Sequence, residues 1–460
     1  MQTAMHLEDM PYRPDSCEYF ECLRDLPGAV FLDSSFPHSS TGRFDILSAE
    51  PLDTAPPQLA DNASEAQSRH YFDELKRYHA ALFGGTQPAH ADIPFCGGIL
   101  GALTYDSGNA LQALRHPQAP PGGSNRWLAA YDWCLVQDHL RARAVLVTLS
   151  GVSAARRADL QARLRRPGAA DNEPSGGATS GFRLTHPFTS NLSEAAYREA
   201  FQRIQDYIHA GDCYQVNLAQ RFTAHYEGDP WRAYRSLRAV AAAPFSAFLP
   251  ANDQAAIVSL SPERFLALQG RHVETSPIKG TRPRHADARA DELAARELRA
   301  SPKERAENLM IVDLLRNDLG RSCLPGSIHV ERLFELQSFP TVHHLVSTIR
   351  GELRPERGAW ELLRDSFPGG SITGAPKRRA MQIIAELEND PRDAYCGSVF
   401  YVSADGRMDS NIAIRTLVFN QGRVHCWGGG GIVADSEWQR EYQETFDKVG
   451  RFLDTLEAFA

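Results

Sequence analysis

A lone lysine, Lys279, sits in "VETSPIKGTRPR", behind a proline and ahead of Gly-Thr-Arg-Pro. Pro and Gly on both sides predict a strand end and a tight turn, which would hold the side chain in place and aim it. Three kinds of group elsewhere could work with such a lysine. A glutamate, Glu263, follows a proline in "LSPERF" on what reads as a strand edge. Carboxylates recur three residues apart in "SPKERAENLM" (Glu304, Glu307) and "QREYQETFDK" (Glu441, Glu444, with Lys448 further along). Taken singly these are solvated or ion-paired side chains. Two helices that each carry such a pair could instead give oxygen ligands to one hard cation. Mg²⁺ suits this, since it takes one or two carboxylates and fills its shell with water and substrate oxygens.

Anion-binding groups complete the set. "HCWGGGGIVADS" places four glycines after a strand, where uncovered backbone N–H groups could form a nest for a carboxylate or phosphate. The run fits neither the P-loop nor the dinucleotide pattern, so no nucleotide is indicated. Arg415, in "IAIRT", alternates with Ile412 and Ile414 in phase with a strand and could pair with a second carboxylate. "FPGGSITGAPKRRAM" adds a Gly-rich turn that opens a helix, with Pro376 early in it. Residue types and spacing together describe a site for a small polyanion, bound through Mg²⁺ and backbone amides beside a lysine and a glutamate.

These groups need elements to position them. Ser301, Pro302 and Glu304 predict an N-cap, a first-turn proline and a capping box for the helix carrying Glu307. Ser436 is the expected cap of a C-terminal helix whose core stripe is Tyr442, Phe446, Val449, Leu453 and Leu456. A helix is expected from Ser193 to Gly211. "CYQVNLAQRF" should follow it as a half-buried strand alternating at Tyr214, Val216 and Leu218. Hairpins are expected at Gln269-Gly270, Asp405-Gly406 and Gln421-Gly422, and near Gln137–His139. Antiparallel hairpins with single helices between them predict an α+β fold. A Pro/Gly/Ala/Ser-rich stretch from Arg165 to Gly181 reads as a surface loop or linker, dividing residues 1–181 from 182–460.

Composition narrows the function. The 460 residues carry a formal charge of −8 with no basic tract, which argues against a nucleic-acid or membrane-surface binder. Eight scattered cysteines form no C-x-x-C pair and read as reduced thiols in a cytoplasmic protein. The N-terminus lacks the pattern of a signal peptide, and no apolar run approaches the ~20 residues needed to span a bilayer.

"SPERF", "SPIKGTRPR", "KERAENLMIVDLLRNDLGR", "FPGGSITGAPKRRAM", "GGGGIVADS" and "EYQETFDK" together resemble the chorismate-utilising enzymes, in order and densely from about Phe188 onward. That resemblance implies a large sandwich of two mainly antiparallel β-sheets with helices packed outside. It also implies a branch, because anthranilate synthases carry alanine where Lys279 stands and usually histidine where Asn308 stands. The lysine resembles the branch that aminates chorismate at C4 to give 4-amino-4-deoxychorismate, the precursor of 4-aminobenzoate, with ammonia from a separate glutaminase subunit. By resemblance Lys279 is the nucleophile and Glu263 protonates the departing hydroxyl. Glu307 and Glu444 hold Mg²⁺ with Glu304 and Glu441 in support. His344, Ser371, Tyr395, Arg415, Gly429, Gly431 and Lys448 line the substrate pocket. To attack, the lysine must be neutral, which calls for a pKa below the usual ~10.4 through desolvation or nearby positive charge. "LDSS" and "TGRFDILSAEP" resemble the family's tryptophan pocket, implying Ser34, Thr41, Gly42, Arg43, Phe44, Pro244, Phe245 and Ser246. The alternatives are anthranilate synthesis and a catalytically silent subunit that only binds a glutaminase.

Overall fold

The computed structural model describes residues 5–39, 42–60, 63–114, 127–166, 181–252, 255–339 and 342–460. Among these, two β-sheets of 12 and 9 strands carry the architecture, and every strand pairing is antiparallel. The α+β expectation holds, and so do the hairpin turns. Arg264–Gln269 returns as His272–Thr275, Ser398–Ser403 as Met408–Asn411, and Thr416–Asn420 as Arg423–Ile432. Trp133–Asp138 likewise returns as Arg143–Leu149.

Period-2 alternation decides where the core lies. In the larger sheet Phe31, Leu47 and Leu135 point to one side and Val30, Ile46 and Val136 to the other, all buried. The first set packs under the helices Cys17–Glu21, Ala154–Leu164, Pro230–Ala241 and Trp438–Glu457. The second set joins Ile99, Leu266 and Val399 of the smaller sheet. Burying each such side chain contributes roughly 1.5–3 kcal/mol, which fixes the face of every strand.

Both sheets draw strands from both sides of the 181 boundary. Val30–Asp33 pairs with Phe245–Asn252 in one sheet, and Gly98–Leu103 with Ser398–Ser403 in the other. Most of the stretch expected as a linker, residues 167–180, lies outside the described residues. No helix among the described residues is long and apolar enough to cross a membrane.

Local chemistry explains most elements and corrects some. Ser193 caps Glu194–His209 by accepting from Ala196 N, and Gly211 adopts φ +81° just past the end. The strand after it, Gln215–Glu227, is buried on both faces as far as Gln220, where Gln215, Asn217 and Gln220 are enclosed like Val216 and Leu218, and alternates as a half-buried strand from Arg221 on. Tyr214 precedes the strand and is 71% exposed. Ser301 Oγ caps Pro302–Gly320 by accepting from Glu304 N (3.3 Å), but the expected capping box does not close. The Glu304 carboxylate turns to Arg282 instead (3.4 Å), because a guanidinium is a stronger partner than a neutral N–H. Nor does Ser436 cap the last helix. Trp438–Glu457 starts after Glu437, while the Ser436 hydroxyl accepts from Val433 N and donates to Glu441 Oε1 (2.6 Å).

Candidate active site

Lys279 lies in an edge strand, Ile278–Pro283, not at a strand end. The strand pairs with Val342–Glu352, and its register slips between Lys279 and Thr281. Gly280 supplies the bulge at φ +76°, a conformation that costs other residues energy. A methyl there would also stand 2.9 Å from Glu304 Oε2, so glycine lets the helix carboxylate come up beside the lysine. The bulge turns Lys279 Nζ toward the Ser371 carbonyl, 3.4 Å away. Ser371 belongs to the short turn Gly370–Ile372.

Glu263 faces the same point. It is 5% exposed, and burial pushes its carboxyl up to about 7, against the pull of the Ser371 hydroxyl, Lys279, Ile278 N–H and Lys448. A carboxylic acid that keeps its proton near neutrality, within the field of a lysine, is equipped to act as a general acid.

Two helix faces supply the remaining carboxylates. Glu307 is raised by burial, with Lys279 and Lys303 drawing it down and Glu304 and Glu441 pushing it up. Glu441 is also raised by burial, despite its bond from Ser436 and with Glu444 adding to the rise. Burial acts on Glu444 too, but Lys448 at 2.6 Å overcomes it and holds that carboxyl below the usual range. Gly430 makes room for the second pair: a methyl at that position would stand 3.2 Å from Glu441 Oε2 and 3.4 Å from Glu444 Oε1. Among the described residues, no three carboxylate, histidine or cysteine groups close on one point as a ready-made metal cage. That is the arrangement Mg²⁺ tolerates, since it keeps several waters and borrows oxygens from its substrate. Glu307 and Glu441 are both raised by burial, and Glu441 acts electrostatically on Glu307 as Glu444 does on Glu441, so a divalent cation would suit this group of acids.

The glycine run differs from its expected form. Gly428–Gly431 continue the strand Arg423–Ile432 rather than follow it, paired throughout with Gln215–Glu227. On the other edge, pairing with Thr416–Asn420 ends at Cys426, because Arg415 at φ +51° turns the chain away. Backbone groups beyond Cys426 are therefore uncovered on that edge only. One of them, the Gly429 carbonyl, accepts from Lys448 Nζ (2.7 Å). The Arg415 guanidinium has no ion-pair partner among the described residues, and its pKa is lowered by burial alone. Its charge joins burial in holding His344 down at about 4, so that this imidazole is neutral and shares a hydrogen bond with Thr281 Oγ1 (2.9 Å). Tyr395 stacks flat on Trp427 (5.9 Å between centroids), with its hydroxyl 2.9 Å from where a methyl on Gly429 would lie. Gly431 is backed by Gln215, whose amide nitrogen would meet a methyl there at 2.8 Å.

Lys303 and Gln215 escaped the sequence reading. Lys303 lies 4.0 Å from Glu307 and its charge reaches Glu441 and Glu444; its i, i+4 spacing to Glu307 was the available signal. Gln215 is fully buried with neither amide atom partnered. Alternation hid it, because a strand enclosed on both faces has no polar side to mark. Asn308 is buried as well, but it ties helix to strand: it donates to the Leu345 carbonyl (3.4 Å) and accepts from Ser347 Oγ (2.6 Å).

A separate cavity of about 1020 Å³ is lined by Ser34, Gly42, Arg43, Phe44, Pro244, Phe245 and Ser246. Thr41 lies outside the described residues. Ser34 donates from both its N–H (2.7 Å) and its hydroxyl (2.6 Å) to Asp45, so the hydroxyl is left free to accept. Arg43 is committed to Asp92 (3.0 Å) and Asp138 (2.8 Å) and lies over the Phe44 ring.

The family profile of chorismate binding enzymes matches residues 33–454. Aminodeoxychorismate synthase component 1 of Klebsiella aerogenes is 47% identical over 456 residues, covering 98% of each chain. The Escherichia coli K12 protein of the same name is 46% identical over 455 residues, covering 97% of each. Anthranilate synthase component 1 of Streptomyces coelicolor is 41% identical over 396 residues, which is 84% of this chain and 77% of that one. In three dimensions, anthranilate synthase component I from Streptococcus pneumoniae superposes with a TM-score of 0.74 at 30% identity, covering 90% of this chain and 92% of that one.

Proposed function

The chain belongs to the chorismate-binding enzymes, and from that premise we propose that it aminates chorismate at C4 to give 4-amino-4-deoxychorismate, as the names of its relatives in Klebsiella and Escherichia indicate for them. One observation carries the reading: an amine, Lys279, and a buried acid that holds its proton, Glu263, share one point beside four helix carboxylates. The Lys279 amine attacks C2 of chorismate, the two conjugated ring double bonds shift, and the C4 hydroxyl departs as water with the Glu263 proton. Ammonia then attacks C4, both double bonds shift back, and the lysine leaves C2. Two displacements return the nitrogen to the carbon that lost oxygen. Bound Mg²⁺ supplies positive charge for a ring carboxylate; Glu307 and Glu444 would hold it, with Glu304 and Glu441 in support. Arg415, half-buried and without an ion-pair partner among the described residues, is suited to a second carboxylate, and Tyr395, His344, Ser371, Lys448 and the Gly429–Gly431 backbone would line the ring. Relatives named as component 1 imply a second component, and we read it as a glutaminase that supplies the ammonia.

Incubation with chorismate, ammonium and Mg²⁺ tests this directly. The expected product is 4-amino-4-deoxychorismate, converted to 4-aminobenzoate by added lyase; anthranilate as the sole product would overturn the assignment. At constant free ammonia, the rate should fall as pH rises through about 7, because Glu263 must enter the reaction protonated. A rate that stays flat from pH 6 to 9 would remove Glu263 from the acid's role.

The separate cavity supports tryptophan as its ligand, its indole against Phe44 and Phe245 and its ammonium donating to Ser34 Oγ. A ligand held at 100 times its Kd stabilises the fold by about 2.7 kcal/mol. Added tryptophan should therefore raise the melting temperature of ligand-stripped protein by several degrees, whereas phenylalanine should do much less. No rise with tryptophan, and none released on acid extraction, would show that the cavity takes something else.

A further inference from the structure

Glu263 and Arg264 are adjacent, Arg264 opening the strand Arg264–Gln269 and Glu263 just before it, and their side chains lead to different sites. Glu263 enters the candidate active site, and Arg264 enters the separate cavity. The guanidinium there is held on every side. Nε and one terminal nitrogen take both oxygens of Asp409 (3.1 and 3.0 Å), the other takes Glu274 Oε1 (3.0 Å), and its face lies 5.1 Å from the Phe245 ring centroid. Glu274 is itself clamped by Arg350 (2.9 Å).

That anchorage is attached to a stretch of backbone that the sheet alone holds poorly. Pairing with Met408–Asn411 slips between Arg264 and Leu266, at the residue after the acid. Glu263 itself precedes the strand and is tied by a few bonds: its carbonyl accepts from Ile412 N (3.0 Å), and its N–H donates to Ser261 Oγ (3.1 Å). Both Asp409 and Ile412 belong to the segment that Arg264 grips or that Glu263 bonds to. The two partners therefore register one segment against the other on both faces. Glu274, four residues before Ile278, lies on the strand that leads into the Lys279 bulge. We propose that Arg264 is a positioning residue for catalysis, pinning the turn of the general acid to the strand that leads to the nucleophile from the face opposite the substrate. The inference rests on Glu263 as the acid. Arg suits the task where Lys does not, because only a planar fork can take one carboxylate with two donors and reach a second carboxylate with a third.

The test is R264K, which keeps the charge between Asp409 and Glu274 but loses the fork. A loosened acid should lower kcat by about tenfold to a hundredfold, the size expected for a misplacement of about 1 Å, while KM for chorismate stays within threefold because the guanidinium does not face substrate. The melting temperature identifies a folded variant; if R264K does not fold, D409N loosens the same clamp and is read in the same way. E263Q, measured alongside, separates this inference from the reading beneath it. If E263Q loses activity while the clamp variant keeps wild-type kcat, the positioning role is overturned and the acid stands. If E263Q keeps wild-type kcat, the acid assignment fails and the inference with it. A parallel rise in KM would make Arg264 a binding determinant and also overturn it.

Discussion

Lys279→Ala is expected to abolish formation of 4-amino-4-deoxychorismate, with a loss on the order of 10³-fold or more, the scale seen when a covalent nucleophile is removed. The fold should survive, because Lys279 lies at a sheet edge and its side chain makes, among the described residues, one long hydrogen bond, to the Ser371 carbonyl (3.4 Å). Lys279→Arg should not rescue, since a guanidinium stays protonated and cannot attack. The surroundings sharpen the prediction. Lys279 acts electrostatically on three acids, Glu263, Glu307 and Glu444. Two of those three are the carboxylates assigned to the metal, and Glu263 holds its proton up to about 7. With chorismate and Mg²⁺ but no ammonia, wild-type protein should carry a mass increase on the peptide containing Lys279, and the Ala variant should carry none. A Lys279→Ala protein that makes 4-amino-4-deoxychorismate at the wild-type rate would reduce the lysine to a structural part of the bulge.

Glu307→Gln and Glu444→Gln are the second pair of large effects. Each should reduce turnover by at least about 10²-fold and weaken Mg²⁺ binding, read by calorimetric titration without turnover. The stability cost should be small, within about 1 kcal/mol, for a reason the structure supplies. Glu307 and Glu441 lie among like charges, so neutralising one acid relieves repulsion as well as breaking an ion pair. The Glu444 pair with Lys448 is close (2.6 Å), but both side chains are over 40% exposed, which screens it. Variants that bind Mg²⁺ and turn over as wild type would remove the metal assignment.

Much of this site was legible in the sequence because its signals are local. Ser193 and Ser301 cap helices through bonds spanning three residues, and the i, i+3 glutamates share a helix face by the geometry of a single turn. The antiparallel character was legible for the same reason, since hairpins are set by turns of a few residues. Composition excluded whole classes of partner without any structure. Where the sequence pattern misled, a non-local partner had won. Glu304 reads as a capping acid, but Arg282, on a strand 22 residues earlier, takes its carboxylate. Ser436 is the exception, since its competitor is near in sequence: Glu441, five residues on, takes its hydroxyl, and the helix starts after Glu437. The bulge at Lys279 depends on Val342–Glu352, more than sixty residues away, and no dipeptide announces it.

The sequence by itself determined which groups could react, because residue type sets charge, nucleophilicity and ligand hardness, and local spacing sets which helix face carries them. Only the tertiary structure decided what those groups become. Burial lifts Glu263 to about 7 and Glu307 above the carboxylate range, and the depth of burial is a property of two packed sheets rather than of "SPERF" or "KERAEN". The same packing enclosed Gln215, left Arg415 without a counter-ion among the described residues, and set Arg264 on the far side of the sheet from the acid it follows. Desolvation and pairing across hundreds of residues are invisible to a local pattern, since they depend on which surfaces the folded chain removes from water.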